Sequence, residues 1–491
     1  MSYLEHTNPN WDTCEKKEFF MKTIAMIMAG GKGSRLAPLT CHRAKPAVPF
    51  GGRYRIIDFV LSNFINSGYR NIYILTQYMS SSLISHISRN WHLTGIGENI
   101  EIVPAQMRMG EHWYRGTADS IYQNINLIRD SKAKNVAVFG GDHIYKFAIN
   151  EMEEFHDIHQ CDLTVAAFPV PIQEAHQFGV IQIDAHNNII GFQEKPQNPA
   201  PMPSDPNMCL VSMGNYFFRT EVLEDALISD AGNDNSKHDF GHNIIPNLVQ
   251  QGCIVKVYDF AKNNIPGDPV HAKPYWRDVG TVDSFYQANM ELRSPLPSLN
   301  MYNRNWRIRT SQRDYPPARF VKHGSFPNVD VVDSLICEGS IVSVDILEKS
   351  LIGYDCFLHA GAEVRGCILF SGCDVGSKSR IHNVIMDKNC SIEAGCIIGE
   401  NIEDDKNRFP FVTPSGIVVL PKGTFVPKSG PILFPQDIGF LLKNDPATKM
   451  LMEEYKGRYI ISDRSRHSHE SAGPRYKLFG PGSLVHGAET E

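Results

Sequence analysis

"KTIAMIMAGGKGSRLAPLTCHRAKPAVPF", spanning Lys22–Phe50, is the stretch on which the fold of the first half of the chain turns. "KTIAMIMA" is a short continuous apolar run ending in glycines, the pattern of a strand buried on both faces of a parallel sheet. Behind it, Gly30, Gly31 and Gly33 let backbone N–H groups come close to an anion, while Lys32, Arg35, Arg43 and Lys45 supply positive charge. Two common phosphate motifs do not fit. A P-loop would need glycine where Met26 stands. A dinucleotide fingerprint read from Gly31 would end on Leu36, where a small residue is required. What remains is a cationic glycine loop suited to a triphosphate; the plainer alternative is a turn carrying solvated basic side chains.

Outward from this stretch, strand-like and helix-like segments alternate as far as about Arg293. In "IDFVLSNFINSG", Ile57, Val60, Leu61, Phe64 and Ile65 fall at helical spacing and Gly68 offers a C-terminal cap. "NIYILTQ" reads as a strand, "GTADSIYQNINLIRDS" as one helix and "NVAVFGGDH" as a strand again. The rhythm predicts a doubly wound, Rossmann-like α/β domain over 22–293, with ligands at the carboxyl ends of its strands. Between Cys161 and Phe218 the texture turns to β, with "DAHNN" as a turn. Residues 294–327, rich in proline and turn formers, read as a linker along the surface, and 1–21 as an N-terminal extension.

Over 328–430 the pattern changes. Ile346, Ile352, Leu358 and Val364 stand six apart, as do Val375 and Ile381, then Met386, Ile392 and Ile398. A six-residue step is too long for a helix face but suits a left-handed parallel β-helix, in which each short strand sends one aliphatic side chain inward. Residues 431–491 are polar and interrupted, and read as a solvated, partly disordered extension holding one helix around "DPATKMLMEEYKGRY".

A net charge of −6 over 491 residues argues against a protein that coats nucleic acid. No apolar run approaches the roughly 18 residues needed to cross a bilayer, so no membrane partner is expected. No signal-peptide core precedes Lys22. Eleven cysteines include no CxxC pair, which favours small buried thiols in a reducing cytoplasm over metal ligands or disulfides.

Two aspartates sharpen the reading of the loop. Asp142 ends "NVAVFGGD" and Asp278 lies in "YWRDVGT". Two carboxylates at strand ends can hold one Mg²⁺ through oxygen, leaving positions for phosphate. In "FQEKP", Lys195 can pair with a second phosphate and Glu194 can accept from sugar hydroxyls.

These blocks carry a resemblance. "AGGKGSRLAPLTCHRAKPAVPFGG", "WYRGTADS", "GDHIYK", "EKP", "SMGNY", "HDFG", "YWRDVGT" and "PPARF" occur in the order found in sugar-nucleotide pyrophosphorylases. The chain specifically resembles the glucose-1-phosphate adenylyltransferase (ADP-glucose pyrophosphorylase) family, over roughly Lys22–Val426. Lys237 is a small departure, in "KHDFG". The resemblance implies that Gly30, Gly31, Gly33, Arg35 and Lys45 embrace the ATP phosphates, and that Gln77 and Gln106 lie near the adenine. Tyr114, Gly179, Glu194, Lys195, Ser212 and Asp239 would contact glucose 1-phosphate, and Asp142 and Asp278 would hold Mg²⁺. It also implies a homotetramer controlled by anionic metabolites near the "RAKP" loop and the β-helix, for which His42, Arg43, Arg55 and Lys388 are the candidates. His42 and Pro49 stand where some regulated members carry lysine and histidine, and Asp130 where others carry a base, so an altered effector response is expected. A UDP- or dTDP-glucose enzyme and a non-catalytic regulatory subunit are the alternatives. A β-helix acyltransferase is disfavoured, because no catalytic histidine stands in an acyl-carrier setting.

Overall fold

In the computed structural model of the chain the described residues are 22–462, apart from 94, 96–97, 109, 270–271 and 322–329. Thr23–Met28 forms the expected strand, and its side chains alternate between two cores. Ala25 and Ile27 face one, with Ile57, Val60, Leu61 and Phe64 of the helix Ile56–Asn66. Ile24 and Met26 face the other, with Ala118, Ile121, Leu223 and Leu227. A strand without a polar face is covered on both sides, and this doubly wound arrangement is what its continuous apolar run dictates.

The sheet is mixed. Its parallel half runs Asn99–Pro104, Asn71–Thr76, Thr23–Met28, Asn135–Gly140. Met208–Arg219 then adds antiparallel to Asn135–Gly140 through Asn215–Arg219; Leu163–Pro171 pairs along its other edge, and Gly179–Ile183 pairs with Leu210 and Val211 on the same edge as Asn135–Gly140. Ile189–Glu194 closes that edge against Gly179–Ile183. The β texture expected between Cys161 and Phe218 is this antiparallel half.

The segment expected as one helix from Gly116 to Ser131 is two, Thr117–Tyr122 and Ile125–Ser131. Side chains cause the break. Asn124 Nδ2 donates to the Ser120 carbonyl at 2.8 Å and to the Tyr114 hydroxyl at 3.0 Å, and Gln123 Nε2 donates to Asp119 at 2.9 Å. Of these only the bond to the Ser120 carbonyl competes with the helical ladder, and the Asn124 N–H turns to the Ile121 carbonyl at 3.0 Å.

Residues 294–321 run along the helix Ile56–Asn66, pinned by bonds from Trp306 Nε1 to Asn63 (3.0 Å) and from Thr310 Oγ1 to Asp58 (2.6 Å). Arg319–Phe320 already pairs with the first coil strand, Ile341–Val342.

Beyond this, three parallel sheets of very short strands stack coil upon coil, an arrangement consistent with the left-handed β-helix. The six-residue register slips by one residue in each coil. Ile346 is half-exposed, and Leu347 points inward at 0% exposure, as do Ile352, Leu358, Val364, Val375, Ile381 and Met386. One step in each coil is therefore five residues: Leu347 to Ile352, Val364 to Leu369, Ile381 to Met386.

Past Pro431 the chain differs from the solvated tail expected. Ile432–Pro435 and Tyr459–Ser462 extend a β-helix sheet, and two helices, Gln436–Asn444 and Lys449–Glu454, pack across its end. Ile432, Phe434, Ile438, Leu442 and Met452 join a core shared with the coils and with Leu39 and Cys41. The rest of the expected extension, 463–491, and residues 1–21 lie outside the described residues. Among the described residues no helix is long and apolar enough to cross a membrane.

Candidate active site

The carboxyl ends of the central strands open into a cavity of about 540 Å³, lined by the glycine loop on one side and by the antiparallel half of the sheet on the other. Gly33 has φ 62°, and a Cβ there would lie 2.8 Å from Lys45 Cβ. The glycine is required because the loop lies directly on Lys45. Gly141, behind Asp142, has the same logic: its N–H donates to the Met28 carbonyl at 2.9 Å, and a Cβ would press on that carbonyl at 3.1 Å.

Asp142 and Asp278, 136 positions apart in the sequence, meet because two short strands pair outside the main sheet. Ile144–Tyr145 runs antiparallel to Trp276–Arg277, with Ile144 opposite Arg277. This ladder sets the residues just before one strand beside those just after the other. Lys45, only 5% exposed, lies between the two carboxylates. Its Nζ is 3.1 Å from Asp142 Oδ2 and 3.1 Å from Asp278 Oδ1, and donates to the Asp278 carbonyl at 2.7 Å. Arg35 reaches Asp278 at 3.8 Å.

Burial works against charge on Lys45, but Asp142 and Asp278 outweigh it and hold the ammonium above its ordinary range. Burial likewise pushes Asp142 up, and Lys45 with His143 more than reverses it, so its carboxylate titrates below the ordinary range.

His143 was not singled out by the sequence reading, although it is the next residue in "GDHIYK". Its Nε2 is 3.6 Å from both Asp142 Oδ1 and Asp278 Oδ1, and its ring meets Trp276 edge-on. One ligand atom from each of Asp142, His143 and Asp278 falls within 4.8 Å of the others. Two hard carboxylate oxygens beside a cation already seated between them make a donor set that fits a divalent metal.

Across the cavity, Glu194 lies against two glycines: a Cβ at Gly179 would come within 2.9 Å of its Oε2, and one at Gly241 within 2.7 Å. Lys195 ion-pairs with Glu194. Asp239 accepts from the N–H groups of Gly241 (2.9 Å) and His242 (3.1 Å) and from Thr117 Oγ1 (2.9 Å). Ser212 Oγ accepts from Gly214 N–H at 3.2 Å. Gln77 Oε1 accepts from Tyr114 N–H at 2.8 Å, holding the "WYRG" loop over the cavity. Gly30, Gly31, Gly33, Arg35, Lys45, Gln77, Tyr114, Asp142, Gly179, Glu194, Lys195, Ser212, Asp239 and Asp278 thus line one cavity. Gln106 is exposed, just past the edge strand Asn99–Pro104, and is not among the lining residues.

The nucleotidyl transferase family matches residues 24–294, and the GlmU-like C-terminal hexapeptide family matches 316–420. Glucose-1-phosphate adenylyltransferase 1 of Vibrio vulnificus (strain YJ016) is 46% identical over 404 residues, covering 82% of this chain and 98% of the relative. This chain belongs to the glucose-1-phosphate adenylyltransferase family. The enzymes so named from Anaeromyxobacter sp. (strain Fw109-5), 46% identical over 405 residues, and Deinococcus radiodurans, 45% identical over 408, cover the same shares. The family's two parts meet at a second charged cluster. Arg43, 1% exposed, donates from Nη2 to Asp387 of the β-helix at 2.8 and 3.0 Å. Its Nη2 also contacts His42, and its Nη1 is buried without a partner. Burial, then Arg43 and Arg55, pulls the Lys388 ammonium well below its ordinary range. Burial and Arg43 pull His42 down to about 3, so it is neutral at physiological pH. Arg55 is tied to Ser82 at 2.7 and 3.0 Å. The structure brings His42, Arg43 and Lys388 around the buried Asp387, while Arg55, held by Ser82, neighbours Arg43 and Lys388.

Proposed function

We propose that this chain transfers the adenylyl group of ATP to α-D-glucose 1-phosphate, releasing pyrophosphate and giving ADP-glucose, the committed step of glycogen (α-glucan) synthesis. The observation that carries the reading is the single cavity holding a cationic glycine loop, a carboxylate pair fit for Mg²⁺, and a separate Glu194–Lys195–Asp239 wall. The loop and Arg35 suit a triphosphate; the wall suits a phosphorylated sugar.

The sugar-phosphate oxygen is already anionic, so no strong base is required. It attacks the α-phosphorus, and the bond to the β-phosphate oxygen breaks. The barrier comes from repulsion between two anions and from charge growing on pyrophosphate. A divalent cation bound by Asp142 and Asp278 supplies charge neutralisation and alignment. Arg35, Lys45 and the loop amides stabilise the leaving group, and Lys195 holds the nucleophile's phosphate in line. Gln77, which fixes the Tyr114 loop, sits beside the expected adenine position.

The cluster of His42, Arg43, Arg55 and Lys388 supports regulation by an anionic metabolite, since the free Arg43 Nη1 and the crowded cations favour an added anion. Homotetrameric assembly and a cytoplasmic setting belong to the same reading; the ten unpaired cysteines among the described residues suit a reducing compartment. Pyrophosphate release with glucose 1-phosphate and ATP, UTP or dTTP tests the proposal. ATP should be used at least tenfold better, and Asp142→Asn should lower its turnover by roughly 10²–10³ with the melting midpoint retained. Preference for UTP or dTTP, or near-normal turnover in folded Asp142→Asn, would overturn it.

A further inference from the structure

We propose that Lys45 is an internal counter-cation: its ammonium fills the position between Asp142 and Asp278 that a divalent ion would take, so that metal enters only as polyphosphate draws Lys45 away. The inference rests on reading Asp142 and Asp278 as metal ligands.

The geometry is specific. Lys45 Nζ is equidistant, at 3.1 Å, from one oxygen of each carboxylate, and a third bond to the Asp278 carbonyl fixes it there. Its stem is buried, with Gly33 packed against its Cβ. An ammonium on one oxygen of each carboxylate repels a divalent ion brought to the same pair and competes with it for their charge.

The charge count gives the coupling. In the free site two carboxylates face Lys45 and Arg35 at 3.8 Å, so the local sum is zero. A divalent ion arriving alone would leave two excess positive charges in a partly buried pocket. A polyphosphate arriving alone would face two carboxylates whose compensating lysine it must pull away. Arriving together, each removes the other's penalty: the phosphates receive Lys45, and the metal receives Asp142 and Asp278. Gly33 makes the exchange short, because with no side chain there the phosphate-binding amides lie directly over the lysine stem. Lys45 therefore acts as a positioning residue that keeps the carboxylates apart from stray cations until substrate is present.

The test is Mn²⁺ binding to the nucleotide-free protein, read by loss of the free-ion electron paramagnetic resonance signal, with no turnover involved. Wild-type protein should bind Mn²⁺ only in the millimolar range. Lys45→Met should bind it at least tenfold more tightly, and Asp142→Asn added to Lys45→Met should abolish the gain. Tens-of-micromolar binding to the wild type would overturn the proposal whether or not the variant folds, as would an unchanged or weaker affinity in folded Lys45→Met. A gain in Lys45→Met that survives Asp142→Asn would instead overturn the assignment of the ligands themselves.

Discussion

Replacing Lys195 by alanine should raise the KM for glucose 1-phosphate while leaving the KM for ATP and kcat nearly unchanged. The magnitude follows from what the lysine does in the free protein. Its side chain is 59% exposed and pairs with Glu194 at the cavity wall. Such an exposed pair contributes about 0–1 kcal/mol. A hydrogen bond to a charged group contributes about 1.5–3 kcal/mol. Moving Lys195 from Glu194 to a phosphate dianion therefore gains about 0.5–3 kcal/mol, which at 1.4 kcal/mol per tenfold is roughly a 2- to 140-fold rise in KM when the lysine is removed. The backbone should not confuse the result. Lys195 has φ 48°, a left-handed conformation that alanine tolerates no worse than lysine. Steady-state pyrophosphate release, with glucose 1-phosphate varied at saturating ATP and then the reverse, separates the two constants. A rise confined to the KM for ATP would refute the division of the cavity into a nucleotide side and a sugar side. A fall in kcat alone would show that Lys195 acts only in the transition state.

Two further predictions concern stability. Leu442, 0% exposed, sits in the helix that closes the β-helix, so Leu442→Ala should cost about 2–5 kcal/mol in urea unfolding; Phe440→Ala, at a side chain 65% exposed, should stay within about 0.5 kcal/mol. Equal small effects from both would show that residues 436–444 do not pack as described. His156, buried and bonded to Thr164 Oγ1 at 2.9 Å, is pulled by burial from its ordinary 6.5 to about 4. Its folded form binds fewer protons than the unfolded chain, so its stabilisation is complete above pH 6.5 and is lost as pH falls toward 4. His156→Gln should remove about 2 kcal/mol of the loss in unfolding free energy between pH 6.5 and 5, and an unchanged slope would refute the assignment.

The sequence disclosed most where one local pattern had one structural solution. The run Thr23–Met28 has no polar face, so it had to be covered on both sides, and the helix Ile56–Asn66 had a clear stripe and a glycine stop. The β-helix was visible as a period, but the inward residue at the second corner is Leu347 and not its neighbour Ile346, because two adjacent aliphatics leave the register undetermined by one residue. The folded extension was hidden differently. Ile432 and Phe434 alternate, and Ile438 and Leu442 stand four apart, but these signals are short and separated by Gly430, Pro431, Pro435 and Asn444, which read as loop. Only the open end of the coil stack, which must be covered, gives those apolar residues a place.

The active site shows why motifs and geometry are separate kinds of information. Each aspartate could be picked out by its glycine-flanked or aromatic setting, but nothing local joins Asp142 to Asp278. Their meeting depends on a two-residue ladder between Ile144–Tyr145 and Trp276–Arg277, too short to leave any periodicity. Once that ladder forms, His143 is carried in as a third donor, and Lys45, expected beside the ATP phosphates, is held between two negative charges. A lysine near phosphates and a lysine replacing a metal look identical in sequence. They differ by which anion it touches when substrate is absent, and in the free protein Lys45 touches both aspartates at 3.1 Å.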